Sequence, residues 1–237
     1  MQEEYTQGHQ EQDSLHDIAQ SQHGLIHRRQ AASAGATRSM VRHRCSTGEW
    51  QQISGGVLRR TGSPRSDLQT AMAAALAAGP GAALSHSSAA AIWAFPGFRL
   101  LPAQVTIGGR TGRRASTDSP VHRTTFLPPH HVTTLDDIPV LAPTRLLFQL
   151  AASRSPRRMA MLTDKAWARR LVSGRSLHDM CDELSEHGRD GMAVMREVLK
   201  VRPVGYAPPE SNLEARVQEI LRDSGLPEMR RQVDLGG

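Results

Sequence analysis

The stretch that decides the fold of the N-terminal part of the chain is "TRSMVRHRCSTGEWQQISGGVLRR", residues 37–60. Thr37 is a favourable helix N-cap, and the run over residues 38–46 contains no glycine or proline until Gly48 ends it. The next two runs, "EWQQIS" and "VLRR", are short, prone to form strands, and separated by the glycine pair 55–56. Because adjacent glycines permit a tight turn, the stretch predicts a helix followed by a β-hairpin.

Two more short helices are predicted ahead of this stretch. Apolar residues recur at helical spacing over residues 15–19, and Gly24 ends that run. A second run, "HRRQAASA", stops at Gly35. Three short helices followed by a hairpin is the element order of a winged helix-turn-helix, so we assign this DNA-binding domain to residues 13–61.

The helix over residues 38–46 has two different sides when it is projected at 100° per residue. One side carries the hydrogen-bonding residues Arg38, Ser39, Arg42 and His43, and the other carries the apolar residues Met40, Val41 and Cys45. The apolar side can pack on the first two helices while the polar side faces a DNA groove. The predicted DNA-binding residues are Thr37, Arg38, Ser39, Arg42 and His43, with Arg59 and Arg60 on phosphates. Arg44 projects among the apolar residues and is a weaker candidate. The alternative is that these arginines form an ordinary solvated face of an arginine-rich chain.

The overall charge favours a polyanionic partner. The 237 residues carry a formal net charge of +6, and Lys165 and Lys200 are the only lysines, so the positive charge is almost entirely arginine. The planar guanidinium suits phosphate and guanine edges. Cys45 and Cys181 are too few for a metal cluster or a disulfide framework, which favours a reducing compartment. Since no signal peptide and no long apolar run is visible, we expect a soluble, cytoplasmic protein with no membrane partner and no cofactor.

The rest of the chain is predicted to be mainly helical with small β elements, which gives an α+β fold. Residues 1–12 are rich in Glu and Gln and are predicted to be disordered. The central region, residues 65–153, is predicted to hold helices at "SDLQTAMAAALAAG", "SHSSAAAIWAF" and "PTRLLFQLAAS", with strands at "AQVTIGG" and "VHRTTFL". Residues 154–205 are predicted to be a helical segment and linker, with breaks near Gly174 and Gly188.

Three runs together carry a resemblance to a known family: "IAQSQHGLIHRRQAASAGATRSMVRHRCSTGEWQQISGGVL", "GPGAALSHSSAAAIWAF" and "LAPTRLLFQLAA". They resemble the AbiEi-type antitoxins of abortive-infection, type IV toxin–antitoxin systems. The most specific parts are Gly-Glu-Trp at 48–50 and Leu-Ser-His-Ser-Ser-Ala at 84–89, and the resemblance covers essentially residues 13–237. It implies a winged helix that binds operator DNA and represses its own operon, and a nucleotidyltransferase-like toxin as partner.

In many of these relatives a domain similar to very-short-patch-repair endonucleases follows, and residues 206–237 resemble the start of that domain. The matching positions are Ser211, Leu213, Glu214, Gly225, Leu226 and Pro227, with 232–235 as the first strand. The later metal-binding carboxylates of that fold would lie beyond the end of the chain, so we expect a truncated domain without nuclease activity and without a metal site. Glu214 is then the vestige of a nuclease helix. A capping box with Ser211 explains the same glutamate without catalysis.

Two other groupings of reactive residue types receive structural interpretations. Ser85 and His86 are adjacent at the start of a predicted helix, where their side chains should diverge, so Ser85 is interpreted as an N-cap. His130 and His131, like the histidines near the N-terminus, have no cysteine or carboxylate at ligand spacing in the sequence. They are interpreted as surface or turn residues.

Two alternatives to a DNA-binding regulator of antitoxin type stay open. One is a catalytically incomplete copy of a very-short-patch-repair-like endonuclease. The other is a protein that binds a partner through residues 66–200 and recognises no specific DNA sequence.

Overall fold

A computed structural model describes residues 14–109, 119–185 and 190–209, together with the isolated positions 217, 220, 221 and 224. The predictions for residues 1–12, and those for Glu214 and its endonuclease-like surroundings, lie outside the described residues. The described residues form an α+β fold with two separate β-sheets, which confirms the fold class expected from the sequence.

The N-terminal unit has the element order helix, strand, helix, helix and hairpin. Helix α1 spans residues 14–20. It is followed by β1 (Leu25–His27), α2 (Arg28–Ser33), α3 (Arg38–Ser46), β2 (Trp50–Ser54) and β3 (Val57–Arg60). The three strands form an antiparallel sheet in the order β1-β3-β2. Strand β1 was not predicted, because three residues are too few to show a period-two pattern.

The two faces of this sheet pack against different parts of the chain. Ile26, Trp50 and Leu58 pack with α1, α2 and α3 in a small core. Leu25 and Val57, one position away along their strands, belong instead to the larger core of the central region. Because successive side chains of a strand alternate between the two faces, this one sheet is buried on both sides.

The central region is built on a mixed five-stranded sheet in the order β6-β5-β4-β8-β7. Its strands are β4 (Ala83–Leu84), β5 (Val105–Gly108), β6 (Val121–Thr124), β7 (Val132–Leu135) and β8 (Ile138–Leu141). The predicted strands β5 and β6 are confirmed, and they pair in parallel. The other three strands were missed; β4 has only two residues, and β8 contains Pro139.

Helices cover this sheet and continue into the following segment. They are α4 (Asp67–Ala78), α5 (His86–Ile92), α6 (Pro143–Ala151), α7 (Pro156–Ala168), α8 (Gly174–Ser185) and α9 (Met192–Lys200). Phe148 of α6, Leu162 of α7 and Leu184 of α8 share one buried core with the sheet. The ranges 65–153 and 154–205, which we separated by sequence, are therefore packed together. Among the described residues, no helix is long and apolar enough to cross a membrane.

Candidate nucleic-acid interface

Helix α3 presents the predicted hydrogen-bonding side to solvent. Arg38, Ser39, Arg42 and His43 are all exposed, whereas Val41 on the opposite side is buried in the small core. Among the described residues, no partner forms a hydrogen bond or an ion pair with the guanidinium group of Arg38 or of Arg42. The helix thus leaves two guanidinium groups and two further donors unengaged on one surface.

Two neighbours of this surface have local structural roles. Thr37 is exposed and caps α3, because its Oγ1 accepts a hydrogen bond from the Met40 amide at 3.2 Å. Arg44 lies on the half-buried side, where its Nη1 is 3.6 Å from Oε1 of Glu49. This placement agrees with the helix projection, which put Arg44 among the apolar residues and made it a weaker candidate for a DNA contact.

The first turns of α2 and α3 are both strongly positive. Arg28 and Arg29 open α2, Arg38 opens α3, and neither first turn contains an acidic residue. The positive end of a helix dipole normally favours carboxylates, so arginines at this position disfavour the isolated helix and favour an external anion. The exposed side chains of Arg28 and Arg29 were not singled out by the sequence reasoning. The sequence did contain a signal for them, namely two adjacent arginines at the start of a predicted helix.

The hairpin turn is fixed to the start of α2. The amide of Arg28 donates to the Gly56 carbonyl at 2.9 Å, and His27 Nε2 lies 3.0 Å from the Gly55 carbonyl oxygen. Arg28 Nη2 also donates to Oε1 of Gln52 on β2 at 2.6 Å. Gly56 has a φ of +85°, and a Cβ there would lie 3.0 Å from His27 Nε2, so the turn requires glycine. The pKa of His27 is lowered, first by burial.

Arg59 and Arg60 are placed differently from the other predicted contacts. Arg59 shares the sheet face of Val57, which is turned towards α4, and its Nη2 donates to Oε1 of Gln51 on the paired strand. Arg60 lies on the face that carries the small core, where its guanidinium contacts His16 of α1. Adjacent strand residues cannot share a face, so the two arginines do not form one phosphate-binding pair.

The N-terminal unit concentrates the charge of the chain. Residues 14–61 contain seven arginines and only two carboxylates, Asp17 and Glu49. Since Glu49 is paired with Arg44, little negative charge opposes the exposed arginines of α2 and α3. The unit therefore attracts polyanions over the reach of a Debye length, about 8–10 Å at physiological salt.

The Ser85–His86 pair differs in geometry from its prediction. Ser85 occupies the N-cap position of α5, but its hydroxyl makes no capping bond and lies 3.0 Å from Nδ1 of His86. The two side chains converge because His86 has a φ of +51°, and its amide donates to Gln149 Oε1. The pKa of His86 is lowered to about 4, first by burial and then by the neighbouring His122 and Arg145. Ser85 is fully buried, so this contact is a packed polar cluster without access for a substrate.

The histidine pair at 130–131 also has a partner that the sequence did not indicate. His131 is fully buried, and Glu183 of α8 lies within hydrogen-bonding distance of both imidazoles. Both residues lie in the 3₁₀ turn Pro129–His131, as the interpretation of the pair as surface or turn residues allows, but His131 does not lie at the surface. Sequence spacing could not show a carboxylate that the fold brings from 52 residues away.

Comparisons with known proteins add a structural likeness. No protein-family model and no curated protein matches the chain. The chain is similar to the crystal structure of the RV2827C protein from Mycobacterium tuberculosis, with 17% sequence identity and a TM-score of 0.47. The match covers 91% of this chain and 81% of that chain.

Proposed function

We propose that the chain is a DNA-binding transcriptional regulator of antitoxin type whose helix α3 enters the major groove. The single observation that carries the proposal is the division of α3 into two sides. Val41 is buried against the unit's own core, while Arg38, Ser39, Arg42 and His43 project into solvent. A major groove about 12 Å wide admits one α-helix, and winged-helix proteins present such a helix with its N-terminal residues to the bases.

Each exposed residue of α3 has a chemical role in this arrangement. Arg38 and Arg42 are four positions apart and therefore share a side of the helix, where each guanidinium can donate two hydrogen bonds to O6 and N7 of a guanine. Ser39 and His43, also four positions apart, supply adaptable hydrogen-bonding groups beside them. Thr37 contacts the phosphate backbone at the positive start of the helix.

The remaining phosphate contacts come from the start of α2 and from the β2–β3 hairpin. Arg28 and Arg29 add two exposed positive charges at the start of α2, and Arg28 donates a hydrogen bond to Gln52 on β2. Arg60 contributes from the side of α1. Arg59 contributes least, because it lies on the face turned towards α4.

Autorepression of an operon and a nucleotidyltransferase-like toxin as partner extend this proposal and rest on the resemblance to AbiEi-type antitoxins. In that arrangement the N-terminal unit binds the operator, and residues 66–200 hold the partner. The proposal assigns no enzymatic activity to the described residues.

The decisive experiment is fluorescence anisotropy of the purified full chain on its own upstream DNA and on a scrambled duplex of equal length. Both duplexes are titrated over a salt series with the wild type and with the double variant Arg38→Ala/Arg42→Ala. The matched control is Arg99→Ala/Arg175→Ala, which removes the same charge from two exposed positions outside the N-terminal unit.

The expected result is a preference for the upstream duplex that the α3 double variant loses and the control retains. Two bidentate base contacts at roughly 1–3 kcal/mol each predict a loss of at least about 2 kcal/mol, or about thirtyfold in affinity. Equal binding to both duplexes with a steep salt dependence would overturn specific recognition and favour the partner-binding alternative. Equal losses in the double variant and the control would show that only net charge matters.

A further inference from the structure

Two histidines and a carboxylate converge where the 3₁₀ turn Pro129–His131 meets the last turn of α8. His130 Nε2 is 2.9 Å and 3.2 Å from the two carboxylate oxygens of Glu183. His131 Nε2 is 3.3 Å from Oε2 of the same carboxylate. These three residues lie outside the N-terminal unit, and the proposed DNA-binding role makes no use of them.

The spacing of the three ligand atoms fits a small metal ion. One nitrogen of each histidine and one oxygen of Glu183 all lie within 4.8 Å of one another. Bonds of about 2.0–2.2 Å in tetrahedral geometry place ligand atoms about 3.3–3.6 Å apart, so an ion fits among them with small side-chain adjustments. Two imidazoles with one carboxylate suit a first-row divalent transition ion, whereas Mg²⁺ and Ca²⁺ prefer sites made of oxygen atoms alone.

Burial supports the same interpretation. The side chain of His131 is 0% exposed and packs edge-on against Phe126, while the His130 side chain is 61% exposed. The exposed side of the cluster leaves room for water in the remaining coordination positions. The positive charge of Arg145 acts on His131 and reduces the affinity for a cation.

We propose that His130, His131 and Glu183 form a binding site for a divalent transition ion such as Zn²⁺. The ion bonds a ligand pair at the start of β7 and a ligand on α8, and so joins the central sheet to the helical segment that follows it. Three protein ligands with open positions give a reversible site that stabilises the folded chain.

The test uses the full chain after removal of metal with a chelator. Zn²⁺ is titrated in competition with a chromophoric chelator, Co²⁺ is added separately to record its visible absorption, and the melting temperature is measured with and without Zn²⁺. The variants are His130→Ala and Glu183→Gln. Their matched controls are His43→Ala, another exposed imidazole, and Glu197→Gln, an exposed carboxylate on the neighbouring helix α9.

The expected result is one equivalent of Zn²⁺ per chain, a rise in melting temperature, and Co²⁺ absorption of a low-coordinate nitrogen and oxygen site. Each site variant should weaken Zn²⁺ binding at least about tenfold and abolish the rise in melting temperature, and the controls should change neither. Equal Zn²⁺ affinity in Glu183→Gln and wild type would overturn the proposal, because binding would then occur elsewhere in this histidine-rich chain. Equal melting temperatures of His130→Ala and wild type without metal would show that the variant is folded.

Discussion

Arg202 and Asp164 form a buried ion pair whose disruption should destabilise the chain strongly. Arg202 Nε and Nη2 donate to the two oxygens of Asp164 at 2.8 and 2.7 Å, and Nη1 donates to the Val198 carbonyl at 2.9 Å. The two residues are only 7% and 8% exposed. Burial alone would lower the pKa of Arg202, but the hydrogen bonds and charge of Asp164 raise it above its ordinary value. The pair joins α7 to the chain that follows α9.

Arg202→Met leaves the Asp164 carboxylate buried without its cation, and breaking such a pair costs about 3–5 kcal/mol. At roughly 2–4 °C per kcal/mol for a chain of this size, the melting temperature should fall by about 6–20 °C. The double variant Asp164→Leu/Arg202→Met removes both charges and should recover most of the loss. Arg44→Met, which breaks the partly exposed pair with Glu49, should cost about 1 kcal/mol or less.

Urea unfolding and calorimetry of the four proteins measure these differences. A loss below about 1 kcal/mol in Arg202→Met would refute the reasoning, because the carboxylate would then be adequately solvated. A double variant as unstable as the single one would refute it differently, since the effect would come from packing and not from an uncompensated charge.

Two further predictions concern a close backbone contact and the pH dependence of stability. Gly191→Ala should cost roughly 2–5 kcal/mol in urea unfolding, because φ is +84° and the new Cβ would lie 2.5–3.0 Å from backbone atoms of α6 and its end. Gly62→Ala is the control, with a φ of +85° and open space, and should cost only about 1–2 kcal/mol. The lowered pKa of His86, about 4 against 6.5, means that the unfolded chain binds its proton first as the pH falls. The His86 contribution to stability is therefore complete above pH 6.5 and declines between pH 6.5 and 4, so His86→Asn should flatten the melting temperature against pH in that window.

The two sides of α3 could be predicted from sequence because nine residues of a regular helix fully determine which side chains share a surface. Thr37 and Gly48 marked its ends, and the apolar residues fell on one side. For Arg59 and Arg60 the sequence predicted phosphate contacts but did not show which element each strand face packs against, and the structure places the two side chains on opposite faces of the sheet. Period two alone already indicated that both arginines could not face the same DNA surface.

The remaining differences arise from contacts between residues that are distant in sequence. Glu183 reaches His131 only because α8 packs beside the sheet, and no spacing rule contains that information. Strands β1 and β4 have only three and two residues. They are strands because they pair with longer strands, and their own composition does not predict them. The convergence of Ser85 and His86 depends on a positive φ, which is uncommon for residues other than glycine and which the sequence does not reveal.

The N-terminal unit is held to the central region by its sheet as well as by the chain connection. Leu25 and Val57 lie in the central core, and Gln69 of α4 donates from Nε2 to the His23 carbonyl at 2.7 Å. His23 Nε2 in turn lies 2.7 Å from the Asp136 carbonyl oxygen in the β7–β8 turn. A cut after residue 61 would expose the fully buried side chains of Leu25 and Val57, so the packing of this sheet on the central region sets how the N-terminal unit is placed against it. On the proposed function, a partner bound to residues 66–200 and DNA bound under α3 therefore act on one packed body. Any rearrangement of α4 or the β7–β8 turn by the partner would change how α3 meets the groove.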